Sequence, residues 1–293
     1  MGTTSERWPV DLVDDAHARL GEGPVWSRDE AVLYWVDIDL GRVHRFDPAL
    51  GDDEHVDVGE PVGAVAPRRD GGLLLALKSG FALVDQWRGT PRRLAEVEAD
   101  RPDTRMNDGA CDRRGRFWAG TMSTTDEPGQ GTLYRLEAGG KVTPMLRGIS
   151  ISNGIGWSPD DRTMYYADTP SGGIDAFDYD LDSGTIAGRR RLLDVDPREG
   201  QPDGLVVDAD GCIWLALWEG WQVRRYAPDG RLLGTIALPV GRVTKCGFGG
   251  PALDQLFITT ASPDEPSAEQ PHAGGLFVAS PGVAGLPATP FAG

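Results

Sequence analysis

The 293-residue sequence contains only two asparagines, three lysines and three cysteines, and the shortage of cysteine excludes whole classes of protein. Cys111, Cys212 and Cys246 cannot form a disulfide framework, and their spacing is not that of a metal-binding pair. The four histidines show no zinc-binding spacing either. A chain with so few cysteines is typical of a reducing compartment, so we expect a cytoplasmic protein.

Long apolar stretches are also missing from the sequence. No run of about 18 apolar residues occurs, which predicts that no segment spans a membrane. The first residues, from Met1 to Val13, contain no apolar core of a signal peptide. No Gly-x-Ser-x-Gly elbow and no phosphate-binding loop is present, which argues against a serine hydrolase or a nucleotide-binding enzyme.

Positive charge is scarce relative to negative charge. Lysine and arginine total 29 against 45 aspartates and glutamates, which gives a formal net charge of −16. Nucleic-acid binding needs clustered basic residues to neutralise phosphates. We therefore expect no nucleic-acid partner, and we interpret the acidity as a solvated surface.

An internal repeat dominates what the sequence does contain. Each copy has a Gly followed by alternating apolar residues, then a turn rich in Asp and Gly, then an apolar-aromatic strand. The residues preceding that Gly are spaced by 40, 46, 45, 50 and 43 positions, and they are Glu22, Val62, Asp108, Asn153, Asp203 and Cys246. A period of about 40–50 residues suits a four-stranded propeller blade. The sequence predicts an all-β, six-bladed β-propeller formed by residues 1–293 as a single domain, with a core of about 10–280.

Several finer features follow from the same pattern. Asp- and Gly-rich turns precede most of the apolar strands and predict β-hairpins, whereas no convincing amphipathic helix appears. Residues 10–13 are expected to close the last blade beside Gly275–Ala279, which removes exposed sheet edges. Residues 262–273 are expected to form a long loop, and the segment after Pro281 carries few structural signals. Asp208-Ala-Asp210-Gly211 is interpreted as a hairpin turn and not as a calcium loop.

Equivalent positions of a propeller converge on its central axis. Glu22, Asn153 and Asp203 would then bring side-chain oxygen atoms from three distant segments to one point. Both asparagines of the chain, Asn107 and Asn153, fall at this part of the repeat. The alternative is that these residues only form turns, because Asn-Gly and Asp-Gly favour turns.

Seven short motifs, in order, carry a resemblance to a known family. They are Gly21-Glu22-Gly23-Pro24-Val25-Trp26, Arg105-Met106-Asn107-Asp108-Gly109, Ala119-Gly120-Thr121-Met122, Ile151-Ser152-Asn153-Gly154, Ala176-Phe177-Asp178-Tyr179-Asp180, Pro202-Asp203-Gly204 and Cys246-Gly247-Phe248-Gly249-Gly250. Together they resemble the regucalcin (senescence marker protein)/gluconolactonase family of six-bladed sugar lactonases. The resemblance extends over about residues 18–280.

The resemblance implies the chemistry of the site. It implies a divalent metal ion on the propeller axis held by Glu22, Asn153 and Asp203, with Asp203 also acting as the catalytic acid/base group. It implies that Arg105 and Asn107 contact the substrate. Two carboxylates and one amide supply only oxygen ligands, which suit hard cations. Calcium is the first expectation, and zinc, manganese, magnesium or iron are the alternatives.

One segment departs from the family pattern and affects the expected substrate. Relatives of the animal type carry an acidic residue shortly after the Ala-Gly-Thr-Met motif, whereas this chain has Ser123, Thr124 and Thr125 there. The identity of the sugar is therefore not transferable. Trp218 and Trp221 follow a predicted strand in a Gly-containing loop and are candidates for a wall of the sugar pocket.

The sequence thus predicts a metal-dependent hydrolase that opens a sugar (aldono-) lactone to the aldonic acid, acting as a monomer or a weak homo-oligomer. A non-catalytic propeller that binds a metal or a metabolite is the first alternative. A protein-interaction propeller is the second, and the polar set of Glu22, Asn153 and Asp203 on the axis disfavours it.

Overall fold

The computed structural model describes residues 6–263 and 267–293. In these residues the chain forms β-strands and two short 3-10 turns, Thr169–Ser171 and Pro197–Glu199, and no α-helix occurs. None of the described helical segments is long or apolar enough to cross a membrane. The two N-terminal strands are β1 (Glu6–Arg7) and β2 (Val10–Asp14).

The remaining strands form six blades in chain order. Blade 1 contains β3 (Gly21–Ser27), β4 (Val32–Asp37), β5 (Arg42–Asp47) and β6 (Asp52–Asp57). Blade 2 contains β7 (Val62–Pro67), β8 (Leu73–Leu77), β9 (Gly80–Val84) and β10 (Arg92–Glu96). Blade 3 contains β11 (Thr104–Cys111), β12 (Phe117–Ser123), β13 (Gly131–Leu136) and β14 (Val142–Ile149). Blade 4 contains β15 (Ser152–Trp157), β16 (Thr163–Asp168), β17 (Gly173–Asp180) and β18 (Thr185–Asp194). Blade 5 contains β19 (Gln201–Val207), β20 (Ile213–Trp218), β21 (Gln222–Tyr226) and β22 (Leu232–Ala237), and blade 6 contains β23 (Val243–Gly249), β24 (Gln255–Thr260) and β25 (Leu276–Ala279).

The ring of blades is closed by the N-terminal strand β2. It pairs antiparallel with β25 as the outermost strand of blade 6, with Val10 opposite Ala279 and Leu12 opposite Phe277. The predicted six-bladed propeller is confirmed, and so is this closure. The structure adds one strand that the sequence did not reveal, because β1 pairs in parallel with β22 and extends blade 5.

The core consists of six apolar clusters, one between each pair of neighbouring blades. Trp26 belongs to the cluster between blades 6 and 1, and Trp157 belongs to the one between blades 3 and 4. Both tryptophans therefore pack in the core. Because each blade contributes apolar side chains to two interfaces, burial is shared around the whole ring.

Buried aspartates hold the hairpins of two blades. Asp208 accepts hydrogen bonds from the Trp214 indole at 3.0 Å and from Arg225 Nε at 2.9 Å, and its other oxygen accepts from the Cys212 backbone. The Gly211 backbone N–H donates to the Asp208 carbonyl, which closes the turn. The interpretation of this segment as a hairpin turn is confirmed. Asp112 makes the corresponding bond to Trp118 in blade 3.

The C-terminal segment crosses the face of the propeller opposite to the beginning of the innermost strands. Gly285 bridges to Asp208 of blade 5, whereas Phe291 bridges to Arg68 of blade 2 and is completely buried between blades 2 and 3. The Ala292 N–H donates to the carbonyl of Gly115 in blade 3. We call residues 284–293 the strap. The sequence carried few signals there because an irregular strap has no periodicity.

Candidate active site at the channel mouth

A local irregularity occurs in the innermost strand of every blade, at the repeated Gly in blades 1–5 and just before it in blade 6. The pairing register shifts at six places, which are residues 22–25, 62–64, 106–109, 152–155, 202–205 and 243–245. A bulge leaves residues unpaired and redirects their side chains. Glu22, Asn107, Asn153 and Asp203 all lie in these irregular stretches, which explains how strand residues reach the axis.

The repeated Gly permits the close approach of neighbouring blades. A Cβ atom on Gly154 would lie 2.7 Å from the backbone oxygen of Asp203. A Cβ atom on Gly204 would lie 2.4 Å from the Cγ of Lys245. Contacts under about 3 Å are not tolerated, so any larger residue would push the blades apart at the axis.

A chain of hydrogen bonds connects three blades at this end of the channel. The Asn107 amide donates to the Asn153 Oδ1 at 3.0 Å and to the Ser152 carbonyl at 2.8 Å. The Asn153 amide nitrogen donates to the Thr169 hydroxyl at 2.7 Å, and that hydroxyl donates to the Pro202 carbonyl at 2.8 Å. Asn153 is thereby fixed with one lone pair of its Oδ1 still available. Thr169 was not foreseen from the sequence, because it lies in a 3-10 turn outside the repeated motif.

Glu22 and Asp203 are buried carboxylates that destabilise each other as anions. Glu22 is 3 % exposed and Asp203 is 5 % exposed. Burial and the nearby Asp108 raise the pKa of Glu22 to about 8, although Lys245 and the Gly23 N–H act in the opposite direction. Burial and the nearby Glu22 raise the pKa of Asp203 well above its usual range. Two carboxylates in this situation gain stability from a bound cation.

A buried ion pair lies deeper in the channel and was not identified from the sequence. The Lys245 ammonium donates to Asp108 Oδ1, which also accepts from the Gly109 N–H at 2.6 Å. The Lys245 side chain is 7 % exposed and that of Asp108 is 0 % exposed. Two features of the sequence could have indicated this pair: lysine is rare, and Lys245 directly precedes Cys246, which occupies the repeat position.

Arg105 lies half-buried beside Asn107. Its guanidinium donates to Asn107 Oδ1 at 2.7 Å and to the Met106 carbonyl at 3.0 Å. Burial lowers its pKa, whereas Asp39, Glu22 and Asp203 raise it. The remaining donors of Arg105 leave it able to bind ligand oxygens. Asp39, an exposed residue after β4, is a second group that the sequence did not single out.

Some predicted residues lie away from this cluster. Val62 and Cys246 belong to apolar clusters between blades, and burial raises the pKa of the Cys246 thiol. Thr125 is exposed, and its hydroxyl lies 3.0 Å from that of Ser123. Trp218 is paired in register with Gln201 at the site end of blade 5, and Trp221 is 41 % exposed in the following loop.

The available ligands fit an all-oxygen cation site. Among residues 6–263 and 267–293, no three His, Cys, Asp or Glu side chains form a metal-binding group by themselves. The set of Glu22, Asn153 and Asp203 differs from such a group because its third member is an amide. Two carboxylates and one amide oxygen match the preferences of calcium and similar hard ions.

The chain is similar to characterised and solved proteins over nearly its whole length. It is 38 % identical to regucalcin of Xenopus laevis, with 97 % of this chain and 98 % of that protein covered. It is 41 % identical to pentonolactonase XacC of Haloferax volcanii, with 87 % of this chain and 86 % of that protein covered.

A solved structure and a family description agree with this relationship. A calcium-binding protein, regucalcin, from Agrobacterium tumefaciens shares 30 % identity with a TM-score of 0.94, covering 98 % of this chain and 99 % of that one. Residues 20–262 match the SMP-30/Gluconolactonase/LRE-like region. The resemblance seen in the sequence is confirmed, and the chain belongs to the SMP-30/gluconolactonase/LRE-like family.

Proposed function

We propose that this protein is a metal-dependent hydrolase that opens a sugar lactone to the corresponding aldonic acid. The observation that carries the proposal is the convergence of Glu22, Asn153 and Asp203 at the same end of the channel as Arg105 and Asn107. Relatives named pentonolactonase and putative sugar lactone lactonase, at 41 % and 36 % identity, support the substrate class.

Glu22, Asn153 and Asp203 would hold one divalent cation. When bound, such an ion supplies Lewis acidity toward the lactone carbonyl oxygen. Calcium is the ion that we propose, because the Agrobacterium tumefaciens relative is described as calcium-binding. Zinc, manganese, magnesium and iron are the alternatives to be compared with it.

Asp203 is the residue that we assign to proton transfer. As a base it would take a proton from the attacking water, and as an acid it would return that proton to the ring oxygen that leaves. The covalent change is then balanced, since water adds across the C–O bond and no co-reactant is needed. The alternative is that Asp203 acts only as a ligand and takes no proton.

Arg105 and Asn107 bind and orient the substrate in this proposal. Both amide hydrogens of Asn107 are already donated to Ser152 and Asn153, and its oxygen accepts one bond from Arg105. Asn107 therefore offers a sugar hydroxyl a single acceptor lone pair. Arg105 retains several N–H donors, so it is the stronger of the two contacts to lactone oxygens.

One assay tests the function directly. Acid release is measured on a panel of five- and six-carbon aldonolactones, with the chelated protein and after addition of each defined metal. We expect hydrolysis that chelation abolishes and calcium restores. The variants Glu22→Gln, Asn153→Ala and Asp203→Ala should each lose metal and most of the activity, whereas Asp229→Ala, an exposed turn residue of blade 5, should keep both.

The assay also separates the rival functions. A non-catalytic metal- or metabolite-binding propeller is favoured by the regucalcin names among the relatives, and it would bind calcium without hydrolysing any lactone. Asp203→Ala that retains metal but loses turnover would favour the acid/base role over the ligand role. Asp203→Ala with wild-type turnover would overturn that role.

The location, oligomeric state and partners of the protein remain predictions. These are a cytoplasmic location, a monomeric or weakly oligomeric state, and no nucleic-acid or membrane partner. The net charge of −16 supports the prediction on nucleic acid.

A further inference from the structure

The buried pair of Asp108 and Lys245 crosses the channel between blades 3 and 6. The two residues are 137 positions apart in the sequence, yet the ammonium group donates directly to Asp108 Oδ1. The ammonium also lies 3.5 Å from the Gly109 carbonyl oxygen. Asp108 Oδ2 is buried and has no hydrogen-bond partner among the described residues. In a buried site such an oxygen interacts with nearby charges through a low local dielectric constant.

Both members of the pair lie beside residues that we assign to the metal. Asp108 directly follows Asn107, whose amide donates to the Oδ1 of the proposed ligand Asn153 at 3.0 Å. The Lys245 stem packs against Gly204, the residue that follows Asp203. The pair is therefore adjacent to the ligand set without belonging to it.

We propose that Asp108 and Lys245 act with opposite signs on the affinity of the channel for its divalent cation, so that each charge offsets the other. This inference rests on the metal site of the proposed function. Asp108 attracts the cation through space, and Lys245 repels it by a comparable amount. Because both charges are buried, water and salt screen them weakly, and each acts over several ångströms. Both are positioning residues that touch neither substrate nor metal.

A double-mutant cycle on metal affinity tests the proposal. Lys245→Met, Asp108→Asn and the double variant are titrated with Ca²⁺ and with Mn²⁺ by calorimetry. We expect Lys245→Met to bind each ion about tenfold more tightly and Asp108→Asn to bind about tenfold or more weakly. The double variant should return to about the wild-type affinity, because both charges are then absent. Lys78→Met removes an exposed lysine and serves as the matched control.

The opposite signs distinguish an electrostatic role from a structural one. If the pair merely held blades 3 and 6 together, both single variants would disorder the site and weaken binding. Equal signs, or no change in either variant, would overturn the proposal. Tighter binding by Lys245→Met does not result from structural damage, so this variant decides the matter even if Asp108→Asn fails to fold.

The same titration separates this inference from the function on which it rests. A wild-type protein that binds neither ion refutes the metal site itself and the inference together. A wild-type protein that binds one ion, with unchanged affinity in Lys245→Met, refutes the inference alone. That second result would not refute the proposed lactone hydrolysis.

Discussion

Thr169 should control metal binding although it contributes no ligand. Its hydroxyl accepts a bond from the Asn153 amide at 2.7 Å and donates one to the Pro202 carbonyl at 2.8 Å. It therefore fixes which atom of Asn153 faces the axis and ties it to the residue before Asp203. Thr169→Val keeps the shape of the side chain and removes both bonds.

The magnitude follows from burial. Thr169 is 6 % exposed and Asn153 is 5 % exposed, so the amide N–H and the carbonyl released by the substitution are not hydrated. Leaving buried polar groups unpaired costs about 1–3 kcal/mol of the free energy of unfolding. Residues that orient a metal ligand typically contribute a factor of about 10–100 to metal affinity, and we expect that loss in Thr169→Val.

Calorimetric titration with Ca²⁺ and urea unfolding without metal measure the two effects separately. Thr169→Ser is the control, since it keeps the hydroxyl and should lose about 1 kcal/mol of stability with no change in affinity. A Thr169→Val protein that is destabilised yet binds Ca²⁺ like the wild type would refute the reasoning. Asn153 would then not be a ligand, or would be oriented by Asn107 alone.

Three further outcomes are expected. Asp112→Ala should lower the free energy of unfolding in urea by about 3–5 kcal/mol, because it leaves the buried Arg116 guanidinium without its carboxylate. Asp182→Ala, which removes an exposed carboxylate, should be nearly neutral, and equal effects of the two variants would contradict this prediction. Phe291→Ala should lower the free energy of unfolding by about 3–5 kcal/mol, because Phe291 anchors the strap in a fully buried site between blades 2 and 3. A loss no larger than that of a surface substitution would show that the strap is not packed in solution. Thr125→Glu should change the ranking among five- and six-carbon lactones more than it changes metal affinity, and an unchanged ranking would place the loop outside the pocket.

The fold was predictable because the information is repeated. Six copies of a Gly-containing strand and its hairpin specify the same blade, so a weak pattern in one copy is compensated by clear patterns in the others. The closing strand at residues 10–13 could be predicted because β25 otherwise lacks an outer partner in blade 6. The strap was not found, since Phe291 is buried by contacts with blades that lie far away in the sequence.

The repeat predicts which of the proposed metal ligands meet, whereas Arg105 and Asn107 are predicted from the family resemblance. Glu22, Asn153 and Asp203 occupy equivalent positions, and symmetry alone places them at one end of the channel. Lys245 is not predicted from the repeat because the register of β23 shifts between Val243 and Lys245, ahead of the repeated Gly247. The aligned residue, Cys246, packs between blades 5 and 6. Thr169 and Asp39 lie in connections that the repeat does not constrain.

The division between repeated and unrepeated residues has a physical basis that bears on substrate specificity. Bulges in the innermost strands position Glu22, Asn153 and Asp203, and each of these side chains is at most 5 % exposed. The connections at the same end, which carry Asp39, Thr125 and Trp221, are more exposed and contribute little to the apolar clusters. Substitutions there cost little stability, so the loops can vary while the bulged strands keep the proposed metal ligands and the proposed acid/base group. Binding of the metal and choice of lactone should accordingly respond to separate sets of variants in this protein.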